Sequence, residues 1–289
     1  MSETPPPIEH VEEPVQKKTL LDVASGRLAE VRELLDLSKG GLSADDVHDL
    51  RVATRRLEEV VGIFGAMMDG GMAQAVADSL KGLRKAAGDL RDLDVLVEHL
   101  ERAHLPAALR HVAQGVIEAA PERRKALETA LLATCASASV SGAMVFLARV
   151  IEERSVEMVR EQTLLALDEA VNKRLKKRRR QMQKALGKAA MKQTAAALHA
   201  ARIAIKKVRY VLELLPGKGR ELKMLKGMQG LLGEHHDVHV IEETIESHLP
   251  APAPVGLRPA WGKYRRKVAR EQAGRAGKFF VMSYQWNAR

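Results

Sequence analysis

Cysteine and aromatic residues are scarce in this chain of 289 residues. The single cysteine, Cys135, excludes an intramolecular disulfide and a cysteine-based zinc site, so the fold must be held by packing. Only 3% of the residues are aromatic, whereas Ala, Leu, Arg, Lys and Glu are plentiful. This composition favours helices and argues against a β-sandwich. The hydrophobic content of 46% is enough to build a core, which rules out disorder throughout the chain.

Targeting and membrane signals are also missing. Residues 1–18 carry prolines among acidic residues instead of the basic start and apolar stretch of a signal peptide, so we interpret them as a flexible tail. Together with the lone cysteine, this predicts a cytoplasmic protein. Residues 129–148 contain no charge over a length that could cross a bilayer, but repeated Ser, Thr and Gly dilute their hydrophobicity. We therefore expect a packed helix there and no membrane span.

The net charge of +10 at pH 7 is unevenly distributed. Residues 1–172 carry −9 and residues 173–230 carry +16, and the densest segment, residues 173–192, holds ten basic residues and no acidic one. Apolar residues keep a helical spacing through that segment, at Leu175, Met182, Leu186 and Ala189. The segment therefore displays its cations on a folded helix, and such a surface attracts a polyanion.

The most informative feature is an internal repeat. HDLRVATRRLEEVVGIF begins at His48 and HAARIAIKKVRYVLELL begins at His199, which is a register of 151 residues. Ser43 and Thr194 each precede the histidine by five residues and are predicted N-caps, and Asp46 completes a capping box in the first copy only. The register aligns four pairs of polar residues: His48 with His199, Arg51 with Arg202, Arg55 with Lys206, and Arg56 with Lys207.

A second motif follows each copy at a register of 145 residues. The residues that match are Gly88 with Gly233, Asp89 with Glu234, Asp92 with Asp237, and Val95 with Val240. Each copy therefore holds an amphipathic helix, a His/Arg helix and a helix with the pattern G-[DE]-x-x-D-x-x-V. This predicts an all-α fold of two related halves, the first at about 19–165 and the second at about 166–289.

The two His/Arg helices each have a basic face. On a helical projection His48, Arg51 and Arg55 fall within about 60° of one another, with Arg56 at the edge of that face. The opposite face is apolar and carries Leu50, Leu57, Val61 and Phe64. The second copy repeats this division. Rows of Arg and Lys suit phosphate, because a guanidinium offers a planar fork of donors and an ammonium offers a compact charge.

The paired motifs, with Arg91-Asp92-x-Asp94-Val95 and His236-Asp237-x-His239-Val240 after them, resemble the CHAD family, the conserved histidine α-helical domain. The resemblance covers about residues 20–289. It implies one domain of two pseudo-symmetric four-helix bundles, with a basic surface or central groove that binds inorganic polyphosphate. It also implies a non-enzymatic binding module without a cofactor, found in some members on storage granules.

Carried over by position, the resemblance assigns polyphosphate binding to both basic faces: His48, Arg51, Arg55 and Arg56 in the first half, and His199, Arg202, Lys206 and Lys207 in the second. Secondary candidates lie near the second motif of each half: Arg84, Lys85, Arg91, Lys223 and Lys226. The surrounding basic segments add Arg178 and Arg209. One departure is Glu59, which stands where the second copy has Tyr210, on the basic side of the first helix. We expect it to weaken binding by the first half.

The aspartates and histidines of the second motif invite other interpretations. Asp92 and Asp237 hold equivalent positions, and we expect them to orient arginines or histidines of the neighbouring helix. Asp92 and Asp94 are two residues apart and point to different faces, which disfavours a catalytic pair. His235 and His239 are one turn apart, a spacing that can chelate zinc, but the first copy has no histidine at those places. We therefore predict no metal site and no catalytic residue.

Two other functions stay open. A helical nucleic-acid-binding protein would use the same counterion release, although no recognition-helix or RNA-binding motif is recognisable. A metal-assisted enzyme that processes polyphosphate would use Asp92, Asp237 and His236. The oligomeric state is open as well, a homodimer included.

Overall fold

The computed structural model describes residues 15–157, 161–252 and 254–287. These residues form nine α-helices and no strand, which confirms the all-α prediction. The first fourteen residues of the predicted tail, residues 1–18, lie outside the described residues. The first helix begins at Val15. The helices are α1 (Val15–Leu37), α2 (Ala44–Phe64), α3 (Gly70–Arg102), α4 (Ala107–Cys135), α5 (Ala138–Glu157), α6 (Glu161–Lys192), α7 (Ala195–Leu212), α8 (Gly219–His248) and α9 (Leu257–Asn287).

Each half has a main hydrophobic cluster, and the first cluster also includes Leu167 and Val171 of α6 and Leu214. In the first half α1, α2, α3 and α5 surround one hydrophobic cluster, in which Leu50, Leu57 and Phe64 of α2 are buried. In the second half α6, α7, α8 and α9 surround another, in which Val208 and Leu212 of α7 are buried. The apolar faces predicted for the two His/Arg helices are therefore the faces that pack. As a result α2 and α7 hold matching places in two groups of four helices.

A third hydrophobic cluster joins the halves at one end. It combines the end of α3 and the start of α4 with α8 and α9, through Leu100, Leu109, Ile241 and Trp261. Phe279 of α9 is fully buried in the second core. The C-terminal helix therefore uses these two aromatic residues for packing.

Both predicted N-caps are confirmed. The hydroxyl of Ser43 accepts a hydrogen bond from the Asp46 N–H at 3.1 Å, and the Asp46 carboxylate accepts one from the Ser43 N–H at 2.9 Å. The Ser43 hydroxyl also donates to the Asp46 carboxylate, and this bond, followed by the one from the Ser43 N–H, lowers the pKa of Asp46. The hydroxyl of Thr194 accepts from the Ala197 N–H at 3.3 Å, without a second acid to complete a box. Each His/Arg helix thus begins at a defined residue, with its histidine in the second turn.

Two carboxylates tie the halves together near α2 and α7. Glu59 of α2 is 2% exposed and accepts hydrogen bonds from Arg174 and Arg178 of α6 at 2.7 and 2.8 Å. Glu213, just after the end of α7, accepts one from Arg56 of α2 at 3.1 Å. Each acid therefore binds an arginine of the other half. Because burying a charge is favourable only with its partner in place, these pairs hold α2 and α7 in one relative position.

The uncharged stretch at residues 129–148 covers the junction of α4 and α5. Within the described ranges, no single helix has both the length and the hydropathy to span a membrane. α4 and α5 meet those criteria only as a pair, and the two are bent by 46°. Leu131, Val140 and Leu147 of this stretch are buried in the first core.

Candidate functional site

The basic faces of α2 and α7 come together where these helices contact each other. Lys206 of α7 is buried, and the charges that act on it most strongly belong to Arg202, Arg55, Arg51 and Arg209. Arg51 is equivalent to Arg202 in the repeat, and Arg55 is equivalent to Lys206. The two copies of the motif therefore converge on one place. We call Arg51, Arg55, Arg202 and Lys206 the central cations.

Lys206 has no carboxylate in contact. Its side chain forms no ion pair and no hydrogen bond with any residue in the described part of the chain, although only 9% of the residue is exposed. Burial, and then the charges of Arg202, Arg55 and Arg51, lower the pKa of Lys206 to about 7. A buried ammonium surrounded by guanidinium groups is unfavourable. The arrangement is therefore suited to a ligand that brings negative charge.

Asp92 of α3 orients one of the central cations. Arg51 Nη1 donates to Asp92 Oδ1 at 2.8 Å, from a side chain that is 15% exposed to one that is 74% exposed. Asp94, two residues on, accepts instead from Arg124 of α4 at 2.9 Å. The two aspartates thus point to different faces, as their spacing predicts. Their separation leaves no pair of converging carboxylates at this point of α3.

The second half differs at the equivalent position. The guanidinium of Arg202 lies over Gly233 of α8, 3.6 Å from the place where a β-carbon would stand. Asp237 lies 4.0 Å from His99 of α3. Burial raises the pKa of Asp237, and the charges of His99 and Arg202 oppose that rise. Arg202 thus packs against α8 at Gly233, and Asp237 faces both halves.

Histidines line the same region. His199 Nδ1 and His236 Nδ1 are 3.2 Å apart, and their ring centroids are 4.4 Å apart. Burial, and then the charges of His199 and Arg202, lower the pKa of His236 to about 4. Burial also lowers the pKa of His199, helped by Arg202 and Lys206, and that of His48, helped by Arg91. At pH 7 these three imidazoles are therefore neutral in the free protein.

His236 belongs to this site, although its sequence context gives it a role only in the alternative of a metal-assisted enzyme. At the register of 145 residues His236 is equivalent to Arg91, so the neighbours His48–Arg91 and His199–His236 occupy matching positions in the two halves. The repeat contained this signal, because the second motif was already aligned. His239 pairs instead with Glu243 at 3.2 Å. No group of three or more His, Cys, Asp or Glu among the described residues could hold a metal ion.

Several residues predicted to bind ligand already have internal partners. Arg56 donates to Glu213 and Glu30, and Arg178 donates to Glu59. Four others lie close to carboxylates: Arg84 with Glu58, Lys85 with Asp89, Arg209 with Glu213, and Lys207 near Glu59 and Glu58. Lys223 and Lys226 of α8 are exposed and form no ion pair with the described residues. Of these positions, Arg209 is among the charges that act most strongly on Lys206.

The structure shows what surrounds Glu59. Its side chain lies on the same stripe of α2 as Arg51 and Arg55, but α6 covers that position, and the carboxylate is buried between Arg174 and Arg178. The physical reason is that two guanidinium groups compensate the burial of this one carboxylate. Tyr210, its counterpart in the repeat, is buried as well, at 4% exposure. Sequence spacing placed Glu59 on the basic stripe of α2 but did not show that two arginines of α6 neutralise it.

The basic run on α6 divides into two sets. Arg174, Arg178 and Arg179 turn inward and pair with Glu59 or Glu221. The other seven cations are exposed and form no ion pair within the described ranges: Lys173, Lys176, Lys177, Arg180, Lys184, Lys188 and Lys192. Arginine thus serves the internal contacts, and lysine predominates on the solvent face.

Comparison with known proteins identifies a family. The model for the CHAD domain matches residues 23–246. A search of curated proteins finds no match. The crystal structure of the CHAD domain from the plant Ricinus communis is similar, with a TM-score of 0.65 and 24% identity over 95% of this chain and 92% of that one. PptA from Streptomyces chartreusis is similar with a TM-score of 0.65 and 16% identity over 93% of this chain and 99% of that one. These structures share the fold.

Proposed function

Because the chain belongs to the CHAD family, we propose that it binds inorganic polyphosphate at the central cations and catalyses no reaction on it. The observation that carries this proposal is the environment of Lys206, which is buried next to three arginines and has no carboxylate in contact. Such like-charge crowding costs folding energy. A polyanion relieves that cost, because each phosphate brings a negative charge between the cations.

Unused donors at the same place support a phosphate ligand. The Nε atoms of Arg51, Arg91 and Arg202 are buried and have no hydrogen-bond partner among the described residues. Unpaired donors of this kind are rare in folded proteins, because each one loses its hydrogen bonds to water. Phosphate oxygens are strong acceptors and match the guanidinium fork. The donors come from three helices, which favours a chain of phosphates over a single anion.

The carboxylates of the site support binding over catalysis. Asp92 pairs with Arg51, whereas Asp237 lies beside His99. A hydrolytic site would need carboxylates or a metal converging on one phosphate. We therefore propose that incubation with polyphosphate and Mg²⁺ or Mn²⁺ leaves the chain length unchanged. Shortening of the chains would support the enzyme hypothesis in its place. We also propose that the protein acts in the cytoplasm, at polyphosphate-containing granules, which a fluorescent fusion would test.

A binding assay with matched variants tests the main proposal. Arg55→Gln and Arg202→Gln each remove one central cation, and we expect at least tenfold weaker binding of long-chain polyphosphate, since a charge-assisted hydrogen bond contributes roughly 1.5–3 kcal/mol. Arg149→Gln is the control, because Arg149 is an exposed residue of α5 with a surface partner, Glu153. Affinity should fall steeply with salt and should exceed that for orthophosphate. Equal losses in all three variants would contradict a site at α2 and α7.

Competition with nucleic acid tests the alternative. The exposed lysines of α6 would attract any polyanion by counterion release. Polyphosphate and single-stranded or duplex nucleic acid are compared at the same phosphate concentration and the same salt. We expect polyphosphate to displace nucleic acid, and the Arg202→Gln change to affect polyphosphate much more than nucleic acid. The reverse order of affinities would favour the nucleic-acid interpretation.

A further inference from the structure

The site of the free protein holds fewer protons than its residues can carry. Lys206 is enclosed by groups from three helices. From α2 it faces His48, Arg51 and Arg55, and from α8 it faces His236 and Asp237. On its own helix the neighbouring groups are His199, Arg202 and Arg209. From α3, Asp92 pairs with Arg51 at 2.8 Å and also acts on His199 and Arg202. The carboxylates that face this set are therefore Asp237 and Asp92, against four permanently charged arginines, of which Arg209 pairs with Glu213.

The contact between His199 and His236 also limits the number of protons that the site holds. Their Nδ1 atoms are 3.2 Å apart, which is a hydrogen-bond distance. One ring must donate through Nδ1–H, and the other must accept through the lone pair of its own Nδ1. A doubly protonated imidazole has no such lone pair. The geometry therefore requires that at least one of His199 and His236 is neutral while they remain in contact.

We infer that polyphosphate binding, on which this inference rests, is coupled to proton uptake by Lys206 and by the His199–His236 pair. Lys206 gains a proton as the polyanion approaches and becomes a full ammonium. The histidine hydrogen bond opens, and the ring that accepted a proton at Nδ1 turns its N–H groups to phosphate oxygens. No proton leaves the protein, and solvent or buffer supplies the protons.

The direction of the pH dependence follows from this coupling. Without ligand, Lys206 is half protonated near its pKa of about 7. Bound polyanion raises that pKa, so above pH 7 binding must first protonate the amine. Affinity then falls by up to a factor of ten for each pH unit. The histidines act in the same direction at lower pH, since their pKa values are lowered in the free protein.

Lys206→Arg is the decisive variant. It copies the first half, which has Arg55 at the equivalent position, and arginine stays charged throughout the range. We expect the dissociation constant of the wild type for long-chain polyphosphate to rise about twentyfold from pH 6.5 to 8.5, and that of Lys206→Arg to rise less than threefold. Lys81→Arg, at an exposed position of α3, is the control and should keep the wild-type slope. Long chains keep the titration of terminal phosphates small.

Calorimetry in buffers of different ionisation enthalpy counts the protons directly. At pH 8 the wild type should take up close to one proton per site and Lys206→Arg close to none. If Lys206→Arg does not fold, Lys206→Met serves instead, with weaker binding and the same flat profile above pH 7. Binding without proton uptake, or equal pH slopes in wild type and variant, would overturn this inference and leave the proposed function standing. Absence of polyphosphate binding at every pH would overturn both.

Discussion

Arg51 of α2 donates a hydrogen bond to Asp92 of α3 at 2.8 Å, in the middle of a group of cations. The arginine is largely buried, whereas the aspartate is largely exposed. This geometry lets the carboxylate hold the guanidinium in place and still give way to a stronger acceptor. Under the proposed function, a phosphate chain would meet a cation that is already oriented.

Asp92→Asn should separate orientation from charge. The substitution removes the carboxylate partner of Arg51 and leaves the cations to repel one another. We expect the free energy of unfolding of the free protein to fall by about 0.5–1.5 kcal/mol, because the pair is partly exposed. Polyphosphate affinity at low salt should stay equal or rise a few-fold. Denaturant titration and a binding isotherm measure the two effects, and a tenfold loss of affinity would assign Asp92 a direct part in binding.

Lys206→Met should stabilise the free protein while weakening its binding. The pKa of Lys206 is lowered from 10.5 to about 7 on folding, so the unfolded chain binds the extra proton between these pH values. The stability of the wild type therefore rises with pH across that window. Below pH 7 the fold bears the full cost of a buried, charged Lys206. At pH 6.5 we expect the free energy of unfolding of Lys206→Met to exceed that of the wild type by roughly 1–3 kcal/mol.

Urea titrations at pH 6.5 and pH 9 check this expectation. The stability difference between Lys206→Met and wild type should shrink as pH rises. The same variant should bind polyphosphate at least tenfold more weakly at pH 6.5, where the ammonium is mostly formed in the wild type. A variant that is less stable than wild type at both pH values would mean that Lys206 has an internal counter-charge in solution.

Glu59→Gln should destabilise the fold more than Glu58→Gln does. Removal of this buried carboxylate leaves Arg174 and Arg178 without their partner, which costs about 3–5 kcal/mol. Glu58→Gln is the matched control, because Glu58 is one residue away and, among the described residues, its carboxylate forms one ion pair, with the partly exposed Arg84. We expect the control to cost about 1 kcal/mol or less. Similar losses in both variants would show that burial of Glu59 contributes little.

Gly62→Ala tests the contact between Glu59 and Arg174 by displacing the arginine. A β-carbon at Gly62 would stand 2.0 Å from Cζ of Arg174, so the guanidinium must move away from Glu59. The shift weakens a charge-assisted hydrogen bond of roughly 1.5–3 kcal/mol, and the helix propensity of alanine offsets about 0.5–1 kcal/mol, so we expect a net loss of roughly 0.5–2.5 kcal/mol in the free energy of unfolding. Gly82→Ala in α3 is the control: nothing lies within 4 Å of its β-carbon, and helix propensity should add about 0.5–1 kcal/mol. Thermal unfolding of both variants gives the comparison.

The helices and their packed faces could be predicted from local pattern. The capping box at Ser43 and the cap at Thr194 depend on residues three positions away. The apolar stripe of α2 depends on spacing of three and four residues. Both kinds of information lie within one or two helical turns. The internal repeat then extended the prediction from single helices to two halves.

The partners of the cations could not be predicted in the same way. Arg51 and Arg56 look alike in the repeat, yet Arg56 binds Glu213, which is 157 positions away. Arg178 looks like an exposed member of the basic run, yet it binds Glu59, 119 positions away. Helical periodicity contains no information on such contacts. The burial of Glu59 against α6 could not be predicted for this reason.

The order of residues thus decided the all-α architecture, its repetition and the concentration of cations on two helices, because helical periodicity and capping act over a few residues. Tertiary packing decided which cations are neutralised by carboxylates and which remain without a counter-charge. It set Lys206 among three arginines, in contact with no carboxylate, and brought His199 to His236. The reason is physical: the energy and the proton affinity of a charge depend on its burial and on its distance to other charges, and the folded chain sets both.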